Sequence, residues 1–262
     1  MLSLIICFYK RIDFLELIFQ ALSKQSNMNF EVIIAEDDQN NTSLEYLNKS
    51  KKKYSYPIFH VSQLDLGFRK TIILNKALKQ AQYEKLVFID GDCIPHKHFI
   101  KEYLHTIKPL HFYYGRRVFL SAKLSNKLLT QASFEKLSLF KLIINGCKDV
   151  FAGVYLPFKK NRPRANRRIL GCNWGCNKSD LLKINGYDED YLRAGVGEDF
   201  DIDWRLKKMG LTLISMKNKA IVYHLHHSAN HNNEDKEFVE NLLSNKIQKG
   251  VVFCPNGILK KG

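Results

Sequence analysis

Residues 85–96 read KLVFIDGDCIPH, four apolar residues bracketed by charge and followed by Asp90-Gly91-Asp92. A short apolar run that stops at turn residues reads as a buried strand, here Lys85 to Asp90. Asp-x-Asp by itself is usually a solvated turn. At the end of a buried strand, with Gly91 letting the chain turn so that both carboxylates reach one side, it suits a divalent cation shared with phosphate oxygens. The residues before it decide whether the strand lies in a parallel sheet. Residues 2–9 form an apolar run, followed by a helical pattern in Phe14, Leu17, Ile18, Ala21 and Leu22. EVIIA at 31–35 is a second strand, leading through turn residues Asp37 to Asn41 and a Thr42 cap into a helix ending near Asn48. A third strand, Ile58 to Val61, precedes Gly67 and a helix that buries Ile72, Ile73, Ala77, Leu78 and Ala81. Strands alternating with helices predict an α/β fold with a doubly wound, mostly parallel sheet. Ligands of such sheets bind beyond the carboxyl ends of the strands, where Glu36-Asp37-Asp38 and Asp90-Gly91-Asp92 both fall.

Beyond residue 110 the rhythm loosens. FYYGRRVFLS (112–121) reads as one strand, 125–145 as helical, and the cationic KKNRPRANRR (159–168) as an exposed, mobile loop. ILGCNWGCN (169–177) reads as a strand, with Ser179 capping a short helix closed by Gly186. Five acids from Asp188 through Asp199, interrupted by Gly195 and Gly197, suggest a loop approaching a ligand, and a helix comes next with Phe200, Trp204 and Leu206 on or near its apolar face. A carboxylate at its start is placed to deprotonate an incoming hydroxyl. Strands at 211–216 and 219–224 lead into His224, His226, His227 and His231, of which alternation puts His224 and His226 on one face. Residues 232–262 show no clear pattern.

The chain has 262 residues, 45% hydrophobic, with 41 Lys and Arg against 26 Asp and Glu. A net charge of +15 favours polyanionic partners: nucleic acid, an anionic membrane face or phosphorylated substrates. No run approaches the roughly 20 apolar residues that cross a bilayer. The N-terminus reverses the order of a secretory signal, so a cytoplasmic protein is expected. Six irregularly spaced Cys read as reduced and structural. No GxGxxG and no GxxxxGKS occurs, which argues against a Rossmann dinucleotide site and a P-loop. A nucleic-acid-binding protein fits the charge but lacks a recognition motif. A sugar nucleotidyltransferase is disfavoured because no glycine-rich loop with a basic residue follows the first strand of this sequence.

The order SLIICFYKR, EVIIAEDD, LGFRKTIILNKAL, KLVFIDGDCIPH, GCNWGCNKSDLLKINGYDEDY, GVGEDFDIDWRL, AIVYHLHH resembles glycosyltransferase family 2 with the GT-A fold. The later block resembles galactosyltransferases and chondroitin-type polymerases. The resemblance spans roughly residues 3–228. It implies a GT-A domain over 1–228, with a nucleotide-sugar half (1–108), an acceptor and catalytic half (109–228), and a C-terminal extension (229–262). It further implies inverting transfer from a UDP-sugar to a glycan or lipid-linked acceptor, with Mn²⁺ or Mg²⁺, in lipopolysaccharide or capsule synthesis. The cationic face then fits peripheral contact with an anionic membrane near a lipid-linked acceptor, and not nucleic acid. Residue by residue, Tyr9 matches the first-strand motif and Asp37 the acid expected on uracil, while Glu36 stands where Asp is usual. Cys7 replaces the common Pro and Lys10 the common Asn. Arg69 and Lys70 match the cationic turn near the donor, and Asn75 the Asn of the next helix. Asp90 and Asp92 match Asp-x-Asp, with Asp92 the direct metal ligand. Glu198 and Asp199 match the Gly-Glu-Asp motif, one acid serving as base and the other holding the acceptor. His224 matches the late-strand metal ligand, with His226 the alternative. Gly195 and Val196 replace the aromatic residue that galactosyltransferase-like members carry.

Overall fold

Because both of its faces are covered, β1 (Leu2–Phe8) is apolar but for Ser3, whose hydroxyl donates to Glu31. Leu4, Ile6 and Phe8 join the layer under α1 (Ile12–Leu22), which buries the five residues that its periodicity singles out; Ile5 joins the opposite layer. β2 (Phe30–Glu36), α2 (Asn41–Lys53), β3 (Ile58–Ser62), α3 (Lys70–Gln80) and β4 (Lys85–Asp90) complete the repeating half. α3 packs on the face that α1 leaves open, so the sheet is doubly wound. Two local expectations change. α2 runs on to Lys53 and is capped by Asn40, whose side chain accepts from the Thr42 N–H. In α3, Leu74 takes the buried position and Ile72 is only half-buried. The computed structural model describes residues 1–134, 137–193, 197–228 and 233–260.

The second half continues with β5 (Cys93–Pro95), α4 (Phe99–Thr106), β6 (His111–Tyr114), β7 (Arg116–Phe119), α5 (Ala122–Thr130) and α6 (Leu139–Ile144). A 3₁₀ turn (Val150–Gly153), β8 (Arg162–Pro163), β9 (Asn173–Asn177), α7 (Lys178–Lys183), α8 (Gly197–Lys208), β10 (Thr212–Ser215), β11 (Ile221–His224) and α9 (Asn233–Gln248) come after them. Among the described residues the main sheet has eight strands in the order β3-β2-β1-β4-β9-β6-β10-β8. β9 runs antiparallel to both β4 and β6, and β8 antiparallel to β10; the other pairs are parallel. A second sheet, β5-β11-β7, stands beyond the end of β4.

The single strand expected at 112–121 is therefore two strands in two sheets. Gly115 N–H donates to Asn173 O while Arg116 N–H donates to Ala220 O, and the chain changes sheets between them. The cationic segment is not a free loop: Arg162 and Pro163 pair with β10, and Arg164 N–H donates to Leu213 O. Ser179 does not cap α7; Asn177 occupies that position, and the Ser179 hydroxyl donates to Glu84. The C-terminal extension folds as α9 against α8, and Asn185 ties the last residues down by donating to Cys254 O (2.7 Å) and Leu259 O (2.8 Å). All six cysteines are free thiols. Among the described residues no helix is long and apolar enough to cross a membrane.

Candidate functional site

The parallel register aligns the strand ends. Cys7 pairs with Ala35 on one side and Asp90 on the other, and Phe8 pairs with Glu36. Both acidic motifs therefore leave the same sheet edge, as expected. Gly91 makes that edge compact. Its N–H donates to Cys7 O (2.7 Å), and a Cβ there would stand 2.9 Å from the same oxygen, so the turn lies flat against β1. The chain then enters β5, which pairs antiparallel with β11 and sets Cys93 opposite His224.

That register explains a side-chain cluster. Asp92 Oδ2 lies 3.4 Å from His224 Nε2 and 3.0 Å from His227 Nε2. The three ligand atoms lie within 4.8 Å of one another. The second histidine is His227, not His226. β11 ends at His224, so strand alternation no longer governs the residues after it, and the backbone N–H of His226 donates to Ser125 Oγ (2.9 Å). Burial works against the ionised Asp92, but His227 and His224 outweigh it and hold the carboxyl below its ordinary range. Hydrogen bonding to Asp92 raises His227 to about 9, while burial lowers His224. One carboxylate oxygen and two imidazole nitrogens form a mixed donor set that suits Mn²⁺, and Mg²⁺ less well. The two carboxylates of Asp90-Gly91-Asp92 diverge: Asp90 faces Lys70 Nζ at 3.2 Å, and Asp92 alone faces the histidines.

Lys70 links this turn to the acids of α8. Its Nζ lies 3.5 Å from Glu198 Oε1. Burial disfavours its charge, but Asp90, Asp199 and Glu198 together keep it protonated well above the usual range. Burial, then the neighbouring Asp199, pushes Glu198 up to about 8. Asp199 is raised to about 6, again by burial first, with Lys70 opposing. Its carboxylate accepts from the Gly171 N–H and lies so close that a Cβ on residue 171 would fall 2.1 Å from Oδ2. The remaining acids of that stretch serve the fold. Asp188 and Asp190 are held by Lys246, Glu189 by Lys260 and Asn75, and Asp201 by the fully buried Arg205. The expectation of a five-acid ligand loop is thus corrected to two site acids; Asp188, Glu189 and Asp190 brace α9 and the C-terminus. Gly195, Val196 and His231 lie outside the described residues.

Two cavities flank the Asp90–Asp92 turn. One, of about 330 Å³, is lined by Cys7, Tyr9, Asp37, Asp65, Phe68 and Lys70 among others. The Tyr9 hydroxyl (3.0 Å) and Lys10 Nζ (2.7 Å) both donate to Asp65, pinning the 62–69 loop over the end of β1. Asp37 accepts from Gln63 Nε2 (2.7 Å) and the Arg69 N–H (2.8 Å). Glu36 is fully buried against His60 (2.6 Å) and does not reach the cavity. The Arg69 guanidinium turns back to Leu64 O, leaving Lys70 as the cation that lines the hollow. Asn75 also lies apart: its amide donates to Tyr187 O and Glu189 and accepts from the Tyr187 N–H, fixing the segment after α7. The other cavity, about 710 Å³, is lined by Arg117, Phe119, Lys148, His224 and His227. Arg117 was not singled out in the sequence. Its charge acts on both Asp199 and His224, and a cation inside a predicted continuous strand carried no sign of facing a site.

The family model for glycosyl transferase family 2 matches residues 3–178, more than half of the chain, and that for the N-terminal domain of galactosyltransferase matches residues 155–228. Chondroitin synthases of Pasteurella multocida (strain Pm70) and Escherichia coli are each 22% identical over 98% and 96% of this chain. The chain spans 28% and 38% of their respective lengths. Among solved structures, S. aureus TarS 1-349 in complex with UDP superposes with a TM-score of 0.64 at 18% identity, covering 94% of this chain and 65% of that one. GalNAc-T7 with UDP, GalNAc and Mn²⁺ superposes with a TM-score of 0.67 at 12% identity, covering 93% and 47%. Likeness at these identities is a likeness of fold, and the fold is GT-A.

Proposed function

The chain belongs to glycosyltransferase family 2, and from that premise we propose that it moves a sugar from a UDP-sugar to a hydroxyl of a glycan or lipid-linked acceptor, inverting the anomeric centre. One observation carries the reading: three side chains spaced to hold a cation and a pair of raised carboxyls meet at one sheet edge, connected by Asp90 and Lys70. The UDP and Mn²⁺ in the solved relatives are those proteins' ligands, and they support the same chemistry here.

Residues 1–108 serve as the nucleotide-sugar half and 109–228 as the acceptor and catalytic half, with 229–262 bracing the second. Tyr9 and Asp37 hold the uracil end in the smaller cavity. Asp37 spends one contact on Gln63 and one on Arg69, and a carboxylate has about four lone-pair directions, so room is left for a base N–H. Lys70 sits between the nucleotide cavity and the acids and attracts the diphosphate. Arg69 acts through its main chain by fixing Asp37, and Asn75 by fixing 187–189. Mn²⁺ or Mg²⁺ on Asp92, His224 and His227 would offset the negative charge that gathers on the leaving diphosphate.

Burial raises both α8 carboxyls above the ordinary carboxylate range, which suits proton transfer near neutral pH. Asp199, the second acid of the Gly-Glu-Asp motif, is assigned as the base. It takes the acceptor's proton as the acceptor oxygen bonds to the anomeric carbon, and the carbon–oxygen bond to the diphosphate breaks with its electron pair leaving on UDP. Glu198 helps to hold the acceptor. A positioned base contributes ~10²–10⁴-fold. Likeness to two bacterial chondroitin synthases supports a bacterial glycan as the product, in lipopolysaccharide or capsule.

The test is product analysis. The purified chain is incubated with UDP-sugars, Mn²⁺ and a set of glycan acceptors, with UDP release coupled to detection and the new linkage read by NMR. Release of UDP with an inverted anomeric configuration is expected. Release of pyrophosphate would identify a nucleotidyltransferase, and a retained configuration would remove the single-displacement mechanism.

A further inference from the structure

A surface that adjoins the histidine-side cavity joins features that water-facing surfaces normally keep apart. α6 reads LFKLII, yet only Leu142 of its residues is buried. Phe140 is 72% exposed, Ile143 and Ile144 are exposed beside it, Phe151 on the adjoining 3₁₀ turn is 71% exposed, and Phe158 is 97% exposed. Isolated exposed apolar residues need no explanation; a run of them along one stretch marks an interaction site. The backbone that presents them is anchored. Asn218 Nδ2 donates to Phe151 O (2.9 Å) and Val154 O (2.8 Å), and its carbonyl accepts from the Leu156 N–H (2.8 Å). Phe119 and Lys148 exchange both backbone hydrogen bonds just after α6.

Charge decides what covers this face. Residues 139–168 carry eight Lys and Arg against a single acid, Asp149, which leaves +7 of the chain's +15 in this stretch. Cores of protein interfaces are depleted in Lys, whereas apolar anchors ringed by cations match a bilayer boundary bearing anionic headgroups. An apolar cavity of about 700 Å³ opens at the same place, with Leu139, Leu137, Val154 and Tyr155 in its walls and Lys24 and Lys97 among its lining.

We infer that this face docks on an anionic lipid bilayer, with Phe140, Ile143, Phe151 and Phe158 entering the headgroup boundary and Lys148 and Lys160 engaging lipid phosphates. The docking does not depend on the transferase reading. A consequence does: Gly146 and Lys148 also line the histidine-side cavity, so docking sets that mouth at headgroup level, where a lipid-borne hydroxyl is presented.

Flotation of the full chain with vesicles tests the inference. With phosphatidylcholine containing about 30% phosphatidylglycerol, at about 0.1 M salt, the protein floats, and pure phosphatidylcholine binds it at least about tenfold less. The triple variant Phe140→Ser, Phe151→Ser, Phe158→Ser keeps its circular dichroism and UDP binding but loses about tenfold or more in partitioning. In a second measurement Phe158→Trp emission shifts to the blue on anionic vesicles and is quenched by lipids with brominated chains. The inference is overturned if the wild-type chain stays down with anionic vesicles, or if the triple variant floats equally well. An unquenched Phe158→Trp would also overturn it, as would a wild-type dimer in sedimentation that the triple variant abolishes. UDP release in the product assay is independent of all four results.

Discussion

The first hundred residues and the remainder of the chain supply opposite sides of one site by different means. In the first part β1, β2 and β3 lie side by side in chain order and β4 crosses over to pair with β1, all parallel, so the ligand-facing residues fall at adjacent strand ends. In the second part β9 returns antiparallel beside β4, and His224 reaches Asp92 because β11 pairs with a three-residue strand in another sheet. The nucleotide side is thus set by local repetition, and the metal and acid side by long-range pairing. The comparison predicts that damage to the α8 acids destroys chemistry and damage to the Asp92–His224–His227 cluster removes the metal's contribution, whereas damage at Asp37 weakens nucleotide binding with or without metal.

The largest effect is expected at Asp199. Asp199→Asn keeps the shape and the Gly171 contact but removes the base, so turnover falls by ~10²–10⁴-fold while UDP affinity in calorimetry is unchanged. Turnover within a few-fold of wild type would assign the proton to another group. On the nucleotide side, Asp37→Ala removes two hydrogen bonds that order the 62–69 loop, each worth ~1.5–3 kcal/mol when a charged acceptor is involved. UDP affinity should drop roughly tenfold or more, equally with Mn²⁺ and with chelator. A loss seen only with Mn²⁺ would erase the division between the two sides.

These expectations also mark what the sequence made legible. Strand ends at Glu36 and Asp90 followed from apolar runs that stop at turn residues, and the buried face of α1 followed from spacing alone, because both signals are local. His227 did not follow. Strand alternation favoured His226, and only the end of β11 at His224 turns His227 toward Asp92. The acids at 188–190 misled for a related reason: their partners, Lys246 and Lys260, lie about sixty to seventy positions later on a segment with no periodic signal. Arg69 and Asn75 match motif positions, yet tertiary contacts spend the guanidinium on Leu64 and the amide on 187–189.

A smaller effect is expected on stability. The Glu198 carboxyl, raised to about 8 in the folded chain from an ordinary 4.5, holds its proton more tightly when folded. Its contribution is fully present below the unfolded value and is lost as pH rises through the folded one. Metal-free protein should therefore lose stability between about pH 5 and pH 8, by a few kcal/mol at most, roughly 5–10 °C in Tm. Glu198→Gln should flatten that decline in a thermal-shift series. Parallel profiles for the two proteins would mean that Glu198 is not held protonated.

The central claim is that residues distant in the chain form one cation site that UDP shares. Titration calorimetry of UDP, with Mn²⁺ and with chelator, tests it on the wild type, Asp92→Ala, His227→Ala and His226→Ala. Mn²⁺ should strengthen UDP binding at least about tenfold in the wild type and in His226→Ala, and the gain should vanish in Asp92→Ala and His227→Ala. An undiminished Mn²⁺ gain in Asp92→Ala would contradict the account.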